Sequence, residues 1–147
     1  DRFLVEGKKK IPNLVGTKFT HNNLMEMGAC IDLEQHKFEV LHGFDEILIA
    51  GLSMGAVAGV GSTYNYIPNV YHAIFESMKQ NDVETARAWQ MKSIRTVEVI
   101  IKYGGGVRGG KAIMKLIGID CGRIKPFSIE EYDKLKGDLD AINFFDF

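Results

Sequence analysis

Leu14-Val15-Gly16-Thr17-Lys18-Phe19-Thr20 follows a Pro12-Asn13 turn signal, and a short run so placed predicts a strand from Leu14 to Phe19. A second run, Phe38 to Leu41, predicts another. Between them, Asn22 to Leu33 carries Leu24, Met27 and Ile31 at near-helical spacing, with Asn22 or Asn23 available as N-cap. Strand, helix and strand make a βα repeat. Asp45 then stands where it can cap a helix running through Ile47, Leu48 and Leu52 to Gly55, and Ala56 to Gly61, small and apolar throughout, predicts a third strand. Short apolar strands alternating with helices pair in parallel.

The remainder reads as helical. Val70 to Lys79 fits one helix and Val83 to Lys102 a long one, with Asn81 and Glu84 offering a capping box. Val83, Ala86, Gln90, Ile94, Val97 and Ile101 form its expected stripe. Gly104-Gly105-Gly106 stops that helix, Lys111 to Leu116 predicts another, and Ser128-Ile129-Glu130-Glu131 is the capping-box signature of a last short helix to Leu135. The tail, Ala141 to Phe147, holds three Phe and is expected to pack, because apolar rings are costly to leave in water. Three parallel strands leave an open edge. A (β/α)8 barrel needs about 250 residues, so a chain of 147 residues has room for the last third of one and a helical appendix.

Composition sets the outer limits. The 46% hydrophobic and 25% charged residues are those of a globular domain, and 18 Lys and Arg against 19 Asp and Glu give a net charge of -1. With no cationic excess, neither nucleic acid nor an anionic membrane surface is an expected partner. No apolar run approaches the roughly 18 residues of a membrane span. Cys30 and Cys121 have neither a disulfide framework nor zinc spacing, so a reducing, cytoplasmic compartment is expected. The chain begins with Asp rather than Met, which suggests a processed product or a piece of something longer.

Period-two alternation puts Gly16, Lys18 and Thr20 on one face of the first strand. If that face lines a barrel, Lys18 sits in a low-dielectric site where its neutral amine is a nucleophile for a carbonyl. If it does not, Lys18 is an ordinary surface lysine at a strand edge. At the end of the second strand comes His42-Gly43-Phe44-Asp45-Glu46, and at the end of the third Gly61-Ser62-Thr63-Tyr64-Asn65-Tyr66. Polar groups thus gather where parallel strands end, the face on which α/β barrels carry their active sites. Asp45 and Glu46 suit either helix capping or acceptance of hydrogen bonds from a polyhydroxylated substrate. Ser62 and Thr63 are, on spacing alone, loop hydroxyls. Gly104 to Lys111 looks like a phosphate loop, but it follows a helix and lacks the Ser or Thr after Lys, so it reads as a helix break. His21, His36, His42 and His72 have no i, i+4 pair, and no metal site is expected.

Three ordered segments, Val15-Gly16-Thr17-Lys18-Phe19-Thr20, Gly43-Phe44-Asp45-Glu46 and Gly59-Val60-Gly61-Ser62-Thr63-Tyr64-Asn65, together resemble the N-acetylneuraminate lyase family, within the dihydrodipicolinate synthase superfamily. The resemblance continues through Lys111-Ala112-Ile113-Met114 and through Gly122-Arg123 followed by Pro126. It implies an α/β fold: strands six to eight of a (β/α)8 TIM barrel followed by a C-terminal helical segment. On that pattern residues 1–80 form the last three βα units of an incomplete barrel and 81–147 a helical extension.

The resemblance further implies a class I aldolase that reversibly cleaves N-acetylneuraminate, a sialic acid, to N-acetylmannosamine and pyruvate, with no cofactor and no metal. Lys18 becomes the Schiff-base lysine, and Thr20, Gly43, Asp45, Glu46 and Ser62 contact the sugar-derived part of the substrate. The family's carboxylate-binding motif and proton-relaying tyrosine lie on earlier strands. The N-terminal part of the barrel is therefore an expected partner, the chain alone is expected to be inactive, and a homo-oligomer is expected. Ser62-Thr63-Tyr64-Asn65 favours the lyase over a dihydrodipicolinate-synthase-like enzyme or another 2-keto acid aldolase. A noncatalytic α/β interaction module is the alternative of a different class.

Overall fold

The computed structural model describes residues 2–122 and 126–147, in two compact units that divide between Gly61 and Ser62. The first unit is a three-stranded parallel sheet in sequence order, β1 (Gly16–Phe19), β2 (Glu39–His42) and β3 (Ala58–Gly59), with α1 (Arg2–Lys10), α2 (Leu24–Asp32) and α3 (Leu48–Ser53). Lys18 pairs with Leu41 and Leu41 with Ala58, so these three share one face; Phe19, His42 and Gly59 share the other. Phe19 joins the core of Leu4, Met27, Cys30, Phe38, Val40 and Ala56. Each of the larger ones, Leu4, Met27, Phe38 and Val40, contributes about 1.5–3 kcal/mol by leaving water.

Local chemistry explains the helix boundaries. Asn23 caps α2, its side chain accepting from the Glu26 N–H. Lys8 ends α1 by donating its ammonium to the carbonyls of Pro12 and Leu14, at 2.7 and 3.0 Å. β1 and β3 are shorter than expected, while β2 keeps four residues and lies one position later than Phe38–Leu41. Leu14 is held in the turn by Ile11, and β1 pairing begins at the Val15 carbonyl, which accepts from Glu39 N–H at 2.9 Å. β3 shrinks from the expected Ala56–Gly61 to two residues, although Val57 and Val60 still donate to β2 carbonyls.

The second unit opens with a 3₁₀ turn, Ser62–Asn65, and continues with α4 (Pro68–Lys79), α5 (Val83–Lys102), α6 (Gly105–Leu116), α7 (Ile129–Ala141) and a 3₁₀ turn, Phe144–Asp146. α5 has the expected bounds but a different cap: Asn81 is left-handed at φ 58°, and Asp82 accepts from the Thr85 N–H at 3.0 Å. Its buried face is Ala86, Gln90, Ser93, Thr96, Val99 and Ile100, rotated from the expected stripe, and Ile101 is 66% exposed. α6 begins at Gly105, six residues before its expected start, after a left-handed Gly104. α7 has the expected Ser128–Glu131 capping box and runs past Leu135 to bury Leu139 as well. Arg108 of α6 ties to α7 by an ion pair to Glu131 at 2.8 Å, stacking 4.0 Å over Phe127. In the tail Phe144 is buried and Phe145 stays half exposed. Among the described residues no helix is long and apolar enough to cross a membrane. Arg123, part of the Gly122-Arg123 motif, lies outside them.

Candidate active site

Lys18 stands on the face of β1 turned away from the core and is exposed, as is Thr20. The ladder extends one residue beyond β2, with Gly43 N–H donating to Phe19 O at 2.9 Å. Gly43 thereby meets both predicted neighbours: a Cβ on it would overlap Thr20 Oγ1 and stand 2.8 Å from Lys18 Cε. Lys18, Thr20 and Gly43 therefore form one cluster, with the amine-bearing chain laid across bare backbone. The Lys18 side chain is exposed in this chain, so the low-dielectric argument applies only once that face is covered.

Asp45 and Glu46 follow on a 3₁₀ turn, Asp45–Ile47, that leads into α3. Asp45 does not cap it. The cap position is Phe44, without a side-chain bond, while the Asp45 carboxylate is buried and fills the space a Cβ on Gly61 would need. Glu46 is half-buried. The Asp45 carboxylate thus packs directly on Gly61, which that close approach requires to be bare.

His42 was not assigned a site role by the sequence reading. Its ring is 1% exposed, packs on Gly51 and meets Phe44 edge-on with centroids 6.4 Å apart. Neither ring nitrogen has a hydrogen-bond partner among the described residues. Burial lowers its pKa from the ordinary 6.5, and the charges of Glu46 and Asp45 oppose that shift. Below pH 6.5 the unfolded chain takes up a proton that the folded one resists, so acidification favours unfolding. Urea titrations are expected to show stability falling as pH drops below that value, and His42→Phe should flatten the slope.

Ser62 is the first residue of the second unit, exposed at the head of its 3₁₀ turn. It lines a cavity of about 260 Å³ with Asn65, Tyr66, Val107, Lys111 and Met114. Of the α6 members of this lining, Lys111 and Met114 fall in the expected helix and Val107 in the glycine run that reads as a helix break; none carries an expected site role, although the three have i, i+4, i+7 spacing. Lys111 donates to the Cys121 carbonyl at 2.8 Å. Among the described residues no three His, Cys, Asp or Glu come together as metal ligands.

A parallel βα sheet with polar side chains at its strand ends is of the α/β class whose ligands bind beyond the carboxyl ends of the strands. The chain belongs to the dihydrodipicolinate synthetase family, whose model it matches over residues 5–142. It is 41% identical over 122 residues to the N-acetylneuraminate lyase of Mus musculus, covering 81% of this chain and 38% of that protein. To the Homo sapiens N-acetylneuraminate lyase it is 36% identical over 144 residues, 94% of this chain and 45% of that one. Among solved structures, the Proteus mirabilis N-acetylneuraminate lyase superposes with a TM-score of 0.88 at 36% identity, over 97% of this chain and 50% of that one. The chain therefore spans half or less of the length of these relatives.

Proposed function

We propose that this chain is the C-terminal part of an N-acetylneuraminate lyase, supplying strands six to eight of a (β/α)8 barrel and the helical segment after them. It acts when the remaining strands complete the barrel. The observation that carries this reading is the packing of Lys18 and Thr20 over Gly43 at neighbouring strand ends, in a chain whose relatives are sialic acid lyases.

The reaction follows from the amine. Lys18 Nζ attacks the keto carbon of the open-chain sugar acid, and loss of water gives an iminium. Removal of a proton from the hydroxyl two carbons from that centre lets the carbon-carbon bond break. The bonding electrons flow into the iminium, leaving an enamine and releasing N-acetylmannosamine. Protonation of the enamine carbon and hydrolysis return Lys18 and pyruvate. Asp45, Glu46, Thr20 and Ser62 are read as the groups that hold the hydroxylated part, carboxylates accepting from its hydroxyls. Burial of Asp45 against Gly61 supports this assignment, since a carboxylate fixed in place is pre-organised to accept.

Trapping tests it. The assembled enzyme is incubated with pyruvate and borohydride, which reduces an iminium to a stable amine, and the adduct is mapped by mass spectrometry. An adduct on Lys18 is expected. No adduct in folded, assembled protein would leave a noncatalytic module. An adduct formed by an enzyme that condenses pyruvate with other aldehydes but not with N-acetylmannosamine would point to a different aldolase of the family.

A further inference from the structure

Three hydroxyls lie buried in the helical unit in a connected row. Tyr71 of α4 is 1% exposed, and its phenol hydrogen-bonds Thr63 Oγ1 on one side and Ser93 Oγ of α5, at 2.9 Å, on the other. Thr63 and Ser93 are 1% and 0% exposed. The Tyr64 ring stacks on Tyr71 with centroids 3.9 Å apart. Burying three hydroxyls is unfavourable unless they satisfy one another. Apolar residues of similar shape would pack here without that requirement. What the polar row adds is a fixed geometry, because each hydrogen bond specifies a distance and a direction.

The geometry it fixes is that of the 3₁₀ turn. Thr63 is its second residue, and the Thr63 carbonyl accepts from both Tyr66 and Ile67 N–H, at 3.1 and 3.0 Å. Asn65 closes the turn by donating to the Ser62 carbonyl at 2.9 Å. Ser62, one residue before the anchor, is exposed, and its side chain lies against Gly106, where an added Cβ would stand 3.0 Å from Ser62 Cβ. Its hydroxyl thus has a tether on one side, through Thr63 to α4 and α5, and a floor on the other.

We infer that Tyr71 is a positioning residue for Ser62: by bridging Thr63 and Ser93 it holds the turn that presents the Ser62 hydroxyl to the substrate's sugar-derived part. This rests on the proposed reading of Ser62 as a substrate contact. Tyr71 touches no substrate itself. Its effect belongs in the affinity for the sugar acid and not in the chemistry at Lys18.

The test is a double-mutant cycle in the assembled enzyme, with Tyr71→Phe, Ser62→Ala and both together. KM and kcat for N-acetylneuraminate and borohydride trapping of pyruvate are measured. Tyr71→Phe is expected to raise KM by about 3- to 10-fold, the scale of one hydrogen bond, with trapping on Lys18 unchanged. The double variant should show the KM of Ser62→Ala alone, since a displaced hydroxyl and a missing one are equivalent. A merely structural Tyr71 would reduce the active fraction, lowering kcat and trapping together and leaving KM unmoved, and that result overturns the inference. So does a double variant whose KM is the product of the two single effects. If Ser62→Ala itself leaves KM unchanged, the reading of Ser62 as a contact fails and takes the inference with it. If Ser62→Ala raises KM and Tyr71→Phe does not, the inference alone fails. Should Tyr71→Phe not fold, Thr63→Val breaks the same bridge from its other end, and an unchanged KM there counts against the inference equally.

Discussion

Lys18→Ala is expected to abolish turnover in the assembled enzyme, by about 10⁴-fold or more, the scale on which removal of a covalent nucleophile acts. The fold should survive. Lys18 stands on the face of β1 turned away from the core of Leu4, Met27, Cys30, Phe38, Val40 and Ala56, so its exchange leaves that core intact. Lys18→Arg is the informative companion. It keeps the positive charge and most of the length, but a guanidinium cannot condense with a ketone to an iminium that accepts the electrons of the breaking bond. Both variants are expected to lose cleavage and borohydride trapping while still unfolding cooperatively in urea. Appreciable cleavage by Lys18→Arg would mean that the cation acts electrostatically, and the Schiff-base mechanism would fall. Wild-type activity in Lys18→Ala would move the assignment to the noncatalytic module.

Elements governed by contacts close in sequence were legible before the structure. The Ser128 capping box depends on a side chain three residues away and was read correctly. The βα repeat was readable because its strands are short, apolar and separated by a helix with its own cap. α5 shows the limit of hydropathy spacing. Its bounds were right, but the predicted stripe assumed that apolar residues face inward, whereas Ser93 and Thr96 are fully buried. Each has a hydrogen bond that makes burial tolerable: Ser93 with Tyr71, and Thr96 with the Lys92 carbonyl one turn back. Hydropathy cannot see a partner 22 positions away. α6 fails for a related reason. Glycine disfavours a helix by about 1 kcal/mol per residue, so the run before Lys111 read as a break. Gly109 and Gly110 are nevertheless helical and buried, packed so closely that a Cβ would come within 3.0 Å of the Ile100 carbonyl and 3.3 Å of the Tyr66 ring.

The site divides along the same line. Gly16, Lys18 and Thr20 share a face by period-two geometry alone, so their grouping needed no structure. Gly43 was chosen through the family resemblance, and its reason, the space taken by Lys18 and Thr20, is visible only in three dimensions. Asp45 was expected at a cap and is instead buried over Gly61. His42 looked like a scattered histidine because nothing in its neighbours announces a buried ring without a hydrogen-bond partner among the described residues. Local sequence fixes which face a residue takes, while depth and fit come from chain segments far away along the sequence.

Gly43→Ala turns that fit into a measurement, and it is expected to lower turnover by about a hundredfold, the scale of a misplacement of about 1 Å at a reacting group. The new methyl has nowhere to recede, because the backbone of residue 43 is held by its N–H bond to the Phe19 carbonyl. It overlaps Thr20 Oγ1 and crowds Lys18 Cε at 2.8 Å, two atoms that flank the same space. The flexible lysine stem yields most readily, which carries Nζ off its line of attack. Overpacking of this kind costs about 1–3 kcal/mol, so the protein should fold with a lowered urea midpoint. The rate of borohydride trapping should fall in step with kcat. Adding Thr20→Ala removes the overlap with Oγ1 and leaves the contacts with Thr20 Cβ at 2.9 Å and Lys18 Cε at 2.8 Å. The double variant should regain part of the stability without regaining the trapping rate, because the contact with Lys18 Cε remains. Trapping at the wild-type rate in Gly43→Ala would show that the amine is placed by something other than the bare backbone beneath it.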